Sequence, residues 1–205
     1  MTNSTIAASW QRIEAWLQEN APHIYDSLQP GASEAEIAKV ESQLGVALPD
    51  DVKASYRIHN GQNDKAVNGM FPAPPSRYSG FEPGYLLHEV MGIYGEWDEW
   101  KELVEGGDFD GEKSEPQPGI RDDWFHLGWL PFAHNGGGDS YCIDLDPAPG
   151  GTRGQIISMN HEIGERRLIA PSFADWLYQL ANRMEAGRCI IEKGDVSMKG
   201  DNDDE

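Results

Sequence analysis

The run from Trp129 to Pro147, WLPFAHNGGGDSYCIDLDP, constrains the fold more than any other segment of the chain. An apolar stretch ends in a glycine turn and is followed at once by residues of period two. Successive strand side chains point to opposite sides, so Tyr141, Ile143 and Leu145 share one face while Ser140, Cys142 and Asp144 share the other. Two such segments around a glycine turn make a hairpin, and a hairpin anchors an antiparallel sheet. Gly136-Gly137-Gly138 lacks the Lys-Ser/Thr ending of a phosphate loop and leads into a strand rather than a helix, so it reads as a turn. The segment carries no nucleophile with a partner base and no full metal-ligand set. Attention therefore shifts from chemistry to binding.

Helical periodicity dominates the first half. Ile6, Trp10, Ile13 and Leu17 predict an amphipathic helix from about Ser4 to Asn20. Leu28-Gln-Pro-Gly31 reads as a turn, and Ser33 with Glu36 forms a capping box for a helix that buries Ile37, Val40 and Leu44. Gly45 suits the left-handed residue that ends it. Leu48-Pro49-Asp50-Asp51 opens a third helix, with Val52 and Tyr56 facing inward and Asn60-Gly61 stopping it. Residues 62–85 read as a long loop, and from Glu89 a further helix places Val90, Ile93, Tyr94, Trp97 and Val104 on one broad face.

Residues 106–121 form a Gly/Pro/acidic insertion, expected to be mobile. Strands are predicted at 124–132, 140–145, 154–159 and 168–170, before a helix capped by Ser172 and Asp175 that carries Phe173, Trp176, Leu177, Leu180 and Met184. Residues 188–193 read as a last edge strand. Helices, then strands, then a helix describe an α+β fold, a single domain of antiparallel or mixed β-sheet with helices packed on it. The domain spans residues 1–193, and 194–205 reads as an acidic disordered tail.

A formal net charge of -19 disfavours direct nucleic-acid binding and docking on an anionic membrane, and favours a basic protein partner. The charge is concentrated. Between Glu89 and Asp123 there are 12 carboxylates against Lys101, Lys113 and Arg121. That makes the helix and its acidic extension a candidate docking surface, with Glu96, Asp98, Glu99, Trp100, Glu102, Asp108 and Asp110 as its contacts. A merely solvated face explains the same pattern, and the spacing favours a core Trp97 with an exposed Trp100. Only Cys142 and Cys189 are present, and no stretch has the pattern of a leader or a membrane span, so a cytoplasmic location is expected.

Catalytic and metal readings are thin. Asp139, Asp144 and Asp146 near the hairpin invite a hard cation, but Pro147-Ala-Pro-Gly-Gly departs from a calcium loop, and Asp146-Pro147 makes a turn. His161-Glu162 lacks the second histidine of a zinc-protease helix. Cys142 alternates with core positions, as a small buried thiol does. No catalytic, metal or cofactor site is assigned.

Several short motifs resemble a known family when taken in order. SEAEIAKVE at 33–41, Leu44-Gly45, Leu48-Pro49-Asp50-Asp51 and His59-Asn60-Gly61 are similar to the N-terminal half of the Smi/Knr cell-wall regulators, part of the SUKH superfamily. Residues 129–133, Gly138-Asp139, 143–147, Gly151, Gly154-Gln155 and Ser172-Phe173 continue the likeness, which covers about residues 5–193. The resemblance implies an α+β fold round a mixed sheet. It implies non-catalytic work as well: bacterial members resemble immunity proteins that neutralise a cognate toxin, and fungal members are regulatory scaffolds in glucan synthesis. Of the matched positions, Asp139 and Asp144 are candidates to line a recognition groove. The first expectation is an immunity protein whose acidic helix covers a basic, nuclease-like toxin, favoured by the absence of long low-complexity flanks. A cell-wall or glucan-synthesis scaffold is the alternative, and a metal-dependent hydrolase using Asp139, Asp144 and Asp146 comes third.

Overall fold

The computed structural model describes residues 3–63, 65–74 and 83–199. Helix α1 (Asn3–Asn20) buries Ile6, Trp10, Ile13 and Leu17, the positions whose spacing predicts it. A single turn, α2 (Pro22–Tyr25), follows. The segment expected to be a turn at 28–31 is instead a short strand, β1 (Leu28–Pro30). Helix α3 (Glu34–Leu44) starts at the capping box, with Glu36 Oε2 accepting from Ser33 N at 2.7 Å and Ser33 Oγ accepting from Glu36 N at 3.3 Å. It ends at Gly45 with φ 69°. Helix α4 (Asp50–Tyr56) stops before the expected Asn60-Gly61, and that motif lies in β2 (His59–Gln62), antiparallel to β1.

After β3 (Leu86–Leu87), helix α5 (Val90–Gly106) buries Val90, Ile93 and Trp97. Then come β4 (Glu115–Pro116), β5 (Trp129–His134), β6 (Ser140–Asp144), β7 (Gln155–Met159) and β8 (Glu165–Ala170). With β3 they form one six-stranded sheet in the order β3-β5-β6-β7-β8-β4. All pairings are antiparallel except β4 with β8, so the sheet is mixed and the fold is α+β. The insertion expected to be a mobile loop supplies the edge strand β4. Glu115 N donates to Gly164 O at 2.6 Å, Gln117 N donates to Arg166 O at 2.9 Å, and Ile120 is buried. A two-residue Glu-Pro strand has no alternation to betray it. The strand expected from Trp124 begins only at Trp129.

Every residue of β6 is buried, so the alternation separates two covered faces rather than an inside from an outside. On one face Tyr141 and Phe132 meet Trp176, at ring separations of 5.7 and 5.0 Å, from α6 (Phe173–Glu185). On the other, Ser140 meets α5 through Glu96. Helices α1 and α4 pack on α6, with Arg12 of α1 paired to Glu185 and Trp10 Nε1 donating to Ser55 Oγ at 2.8 Å. The last strands, β9 (Cys189–Glu192) and β10 (Asp195–Met198), form a hairpin of their own rather than an edge of the main sheet. The segment expected to be a disordered tail from 194 therefore begins as paired strand. Val196 is fully buried and Asp195 Oδ1 accepts from Gly69 N at 2.7 Å. Residues 200–205, the rest of that segment, lie outside the described residues, as do 64 and 75–82 of the expected loop at 62–85.

Candidate functional site

The start of α5 is seated by a motif that the sequence assigns to ending α4. Asn60 Oδ1 accepts from Val90 N at 2.8 Å and so satisfies a first-turn donor of α5. Gly61 has φ 80°, and a Cβ there would lie 2.5 Å from Glu89 N and 2.6 Å from the His88 carbonyl. Only glycine lets β2 lie this close under the helix. Further along, Glu96 accepts from His88 Nε2 and from the fully buried Ser140 Oγ, which ties helix, preceding loop and sheet together. The rings of His88 and His134 stack at 4.2 Å with 14° between planes. Burial, with the His88 ring as a second cause, pushes the His134 pKa below the ordinary histidine value, and Glu96 opposes the shift.

This stacked pair sits in the floor of a surface groove along α5. Two cavities of about 360 and 510 Å³ meet at His88, Gly92 and His134. The first runs toward Gln62, Asn63 and Ala66, and the second toward Trp100, Leu103 and the turn at Gly136 and Gly138. Glu89, Glu96 and Glu99 line it, and among the described residues no Lys or Arg does. Gly92 makes room for the His88 ring, which a Cβ would approach to 2.9 Å, while a Cβ on Gly95 would meet nothing within 4 Å. The far wall is pinned by Asp139. It accepts from Asn135 Nδ2, Asn160 Nδ2 and His161 N at 3.0 Å each, and from His161 Nδ1 at 2.9 Å.

Of the candidate contacts, the structure brings Glu96, Glu99 and Trp100 together along this groove. Trp97 is core, its Nε1 donating to Leu127 O at 2.9 Å. Trp100 is partly buried, stacked on Phe125 at 4.9 Å, and lines the groove. Asp98 and Glu102 do not line the groove, and Asp108 and Asp110 are exposed in the turn after α5. Asp139 and Asp144, proposed from the sequence as groove-lining groups, are buried and committed elsewhere. Asp144 accepts from Gln155 Nε2 at 2.8 Å and Asp146 N at 3.0 Å, and its burial raises its pKa. Asp146 pairs with Arg121 at 2.9 Å. Each carboxyl of the hydrolase reading thus has its own partners, and among the described residues no three or more His, Cys, Asp or Glu are grouped to hold a metal.

Sequence reasoning missed His88, His134, Gly92, Gly95 and Leu103. One signal was available: two glycines at helical spacing weaken α5 by about 1 kcal/mol each, and such a cost marks a place where side chains are not wanted.

The structure defines an α+β domain with one mixed sheet, helices on both its faces and an acid-lined surface groove. The SMI1 / KNR4 family (SUKH-1) matches residues 31–179, and the chain belongs to that family. "Cell wall biosynthesis/cell cycle regulator smi1" of Schizosaccharomyces pombe is 30% identical over 95% of this chain and 39% of its own length. "Glucan synthesis regulatory protein" of Neurospora crassa is 25% identical over 95% and 41%, and "Cell wall assembly regulator SMI1" of Saccharomyces cerevisiae is 24% identical over 94% and 43%. The chain spans about two-fifths of the length of these relatives. Their names are those of regulators rather than enzymes. No helix among the described residues is long and apolar enough to cross a membrane.

Proposed function

We propose that this chain is a regulatory domain of cell-wall or glucan synthesis and works by binding other proteins, without making or breaking a bond itself. The observation that carries this reading is the alignment of nearly the whole chain with fungal regulators of those processes. The acidic groove and the exposed carboxylates of α5 supply a surface that would select basic partners. Neutralisation of a basic toxin, the first expectation from the sequence, has only the acidic face behind it, and that face serves both readings. Because the relatives extend well beyond the aligned region, the shortness of the acidic tail carries no weight between them.

The test is a domain exchange. The aligned region of the fission-yeast relative is replaced by this chain, and growth is scored under glucanase and other cell-wall stress. Growth above that of the strain lacking the relative supports the reading. A chimaera that accumulates to normal levels and still grows like the deletion strain overturns it.

A further inference from the structure

We propose that the groove between α5 and the turn joining β5 to β6 docks an extended segment of a partner protein, one bearing a Lys or Arg flanked by apolar side chains. This rests on the reading that the domain works by binding protein.

Three independent features point to that occupant. The first is shape. The two cavities adjoin at His88, Gly92 and His134, the stacked histidines floor the channel between them, and the missing side chain of Gly95 leaves open space along the helix beside it. The second is charge. Among the described residues, Glu89, Glu96 and Glu99 meet no Lys or Arg within the lining, and Glu99 is exposed and makes no ion pair. Burying a cation beside a carboxylate in a partly desolvated groove is favourable where burying an anion is not. The third is apolar contact. Leu103 is 40% exposed, and Trp100, which lines the channel, is restrained by its stack on Phe125. A rigid aromatic beside a carboxylate binds both the stem and the head of an Arg or Lys.

Charge also excludes the nearer candidates. A second copy of a chain with net charge -19 is repelled, and so are its own acidic C-terminal residues and any phosphate backbone. The wall at Gly136 and Gly138 is held in place by the four hydrogen bonds that Asp139 accepts.

The probe is a fluorescein-labelled peptide of alternating Leu and Arg, with a Leu-Glu peptide as counterpart, followed by anisotropy over a range of salt. Gly95→Leu is the decisive variant. It fills the channel, leaves net charge unchanged, and sits at an exposed helix position where leucine is preferred to glycine. The expected result is that Gly95→Leu and Glu99→Lys each raise Kd by about tenfold or more. Asp108→Asn/Asp110→Asn, outside the groove, should change it by roughly twofold or less. Near-native binding by Gly95→Leu, loss that follows net charge wherever it is altered, or equal binding of the Leu-Glu peptide would each overturn the proposal. A chimaera that fails in yeast while the peptide still docks in a Gly95-dependent way would sink the regulatory reading and leave the groove standing.

Discussion

Replacing Glu96 with alanine probes the joint between α5 and the sheet. Its carboxylate is only 16% exposed and accepts from His88 Nε2 and Ser140 Oγ, and Ser140 is fully buried. Hydrogen bonds to a charged group contribute about 1.5–3 kcal/mol each, and the orphaned Ser140 hydroxyl keeps its desolvation cost. Against this, the buried carboxylate is no longer held out of water, and alanine favours helix by about 0.5 kcal/mol. The net expectation is a loss of about 2–4 kcal/mol, or a fall in Tm of about 5–15 °C for a domain of this size. Urea unfolding followed by tryptophan fluorescence measures it directly, with an unchanged m value. A Glu96→Ala/Ser140→Ala cycle should show a coupling of about 1–2 kcal/mol. Stability of Glu96→Ala within about 0.5 kcal/mol of the parent, or strict additivity with Ser140→Ala, would refute the idea that this pair couples helix to sheet.

Other outcomes follow from the same contacts. His134 titrates below the ordinary histidine value in the folded chain, so the unfolded chain takes up its proton first, and this group lowers stability as pH falls below about 6.5. His134→Asn should flatten that part of the stability curve, measured by urea midpoints across the acid range. Asp139→Ala removes the acceptor of four hydrogen bonds and should cost about 2–4 kcal/mol, with loss of amide-exchange protection confined largely to the turn at 135–139 and to Asn160–His161. Ser172→Ala removes the acceptor for Asp175 N at the start of α6 and should cost about 1 kcal/mol in the same unfolding assay. Neutralising Glu102, Asp108 and Asp110 together should move Tm by no more than about 1–2 °C, since all three are exposed.

Local signals in the chain were enough to place α1, α3, α5 and α6, because each carries a 3.6-residue apolar stripe, and α3 and α6 also have a cap that can be recognised without any neighbour. The capping box at Ser33 and the cap at Ser172 are both formed as their spacing requires. The strands of the hairpin were legible for the same reason, since period two is a property of consecutive residues. Elements that depend on partners distant along the chain carry no such local signal. β4 exists because Glu115 and Gln117 meet the backbone of Gly164 and Arg166, and β10 because Val196 meets β9 and Asp195 meets Gly69.

The candidate site divides in the same way. Acidity and the aromatic anchor on α5 are written in its residues, so Glu96, Glu99 and Trp100 could be named in advance. That Asn60 and Gly61 seat α5 rather than end α4, that His88 stacks on His134, and that Asp139 braces a wall instead of facing a ligand depend on close approaches between separate elements. Periodicity and capping are short-range and act along the backbone. A groove is the space left between elements once they have packed, and no single stretch of sequence encodes it.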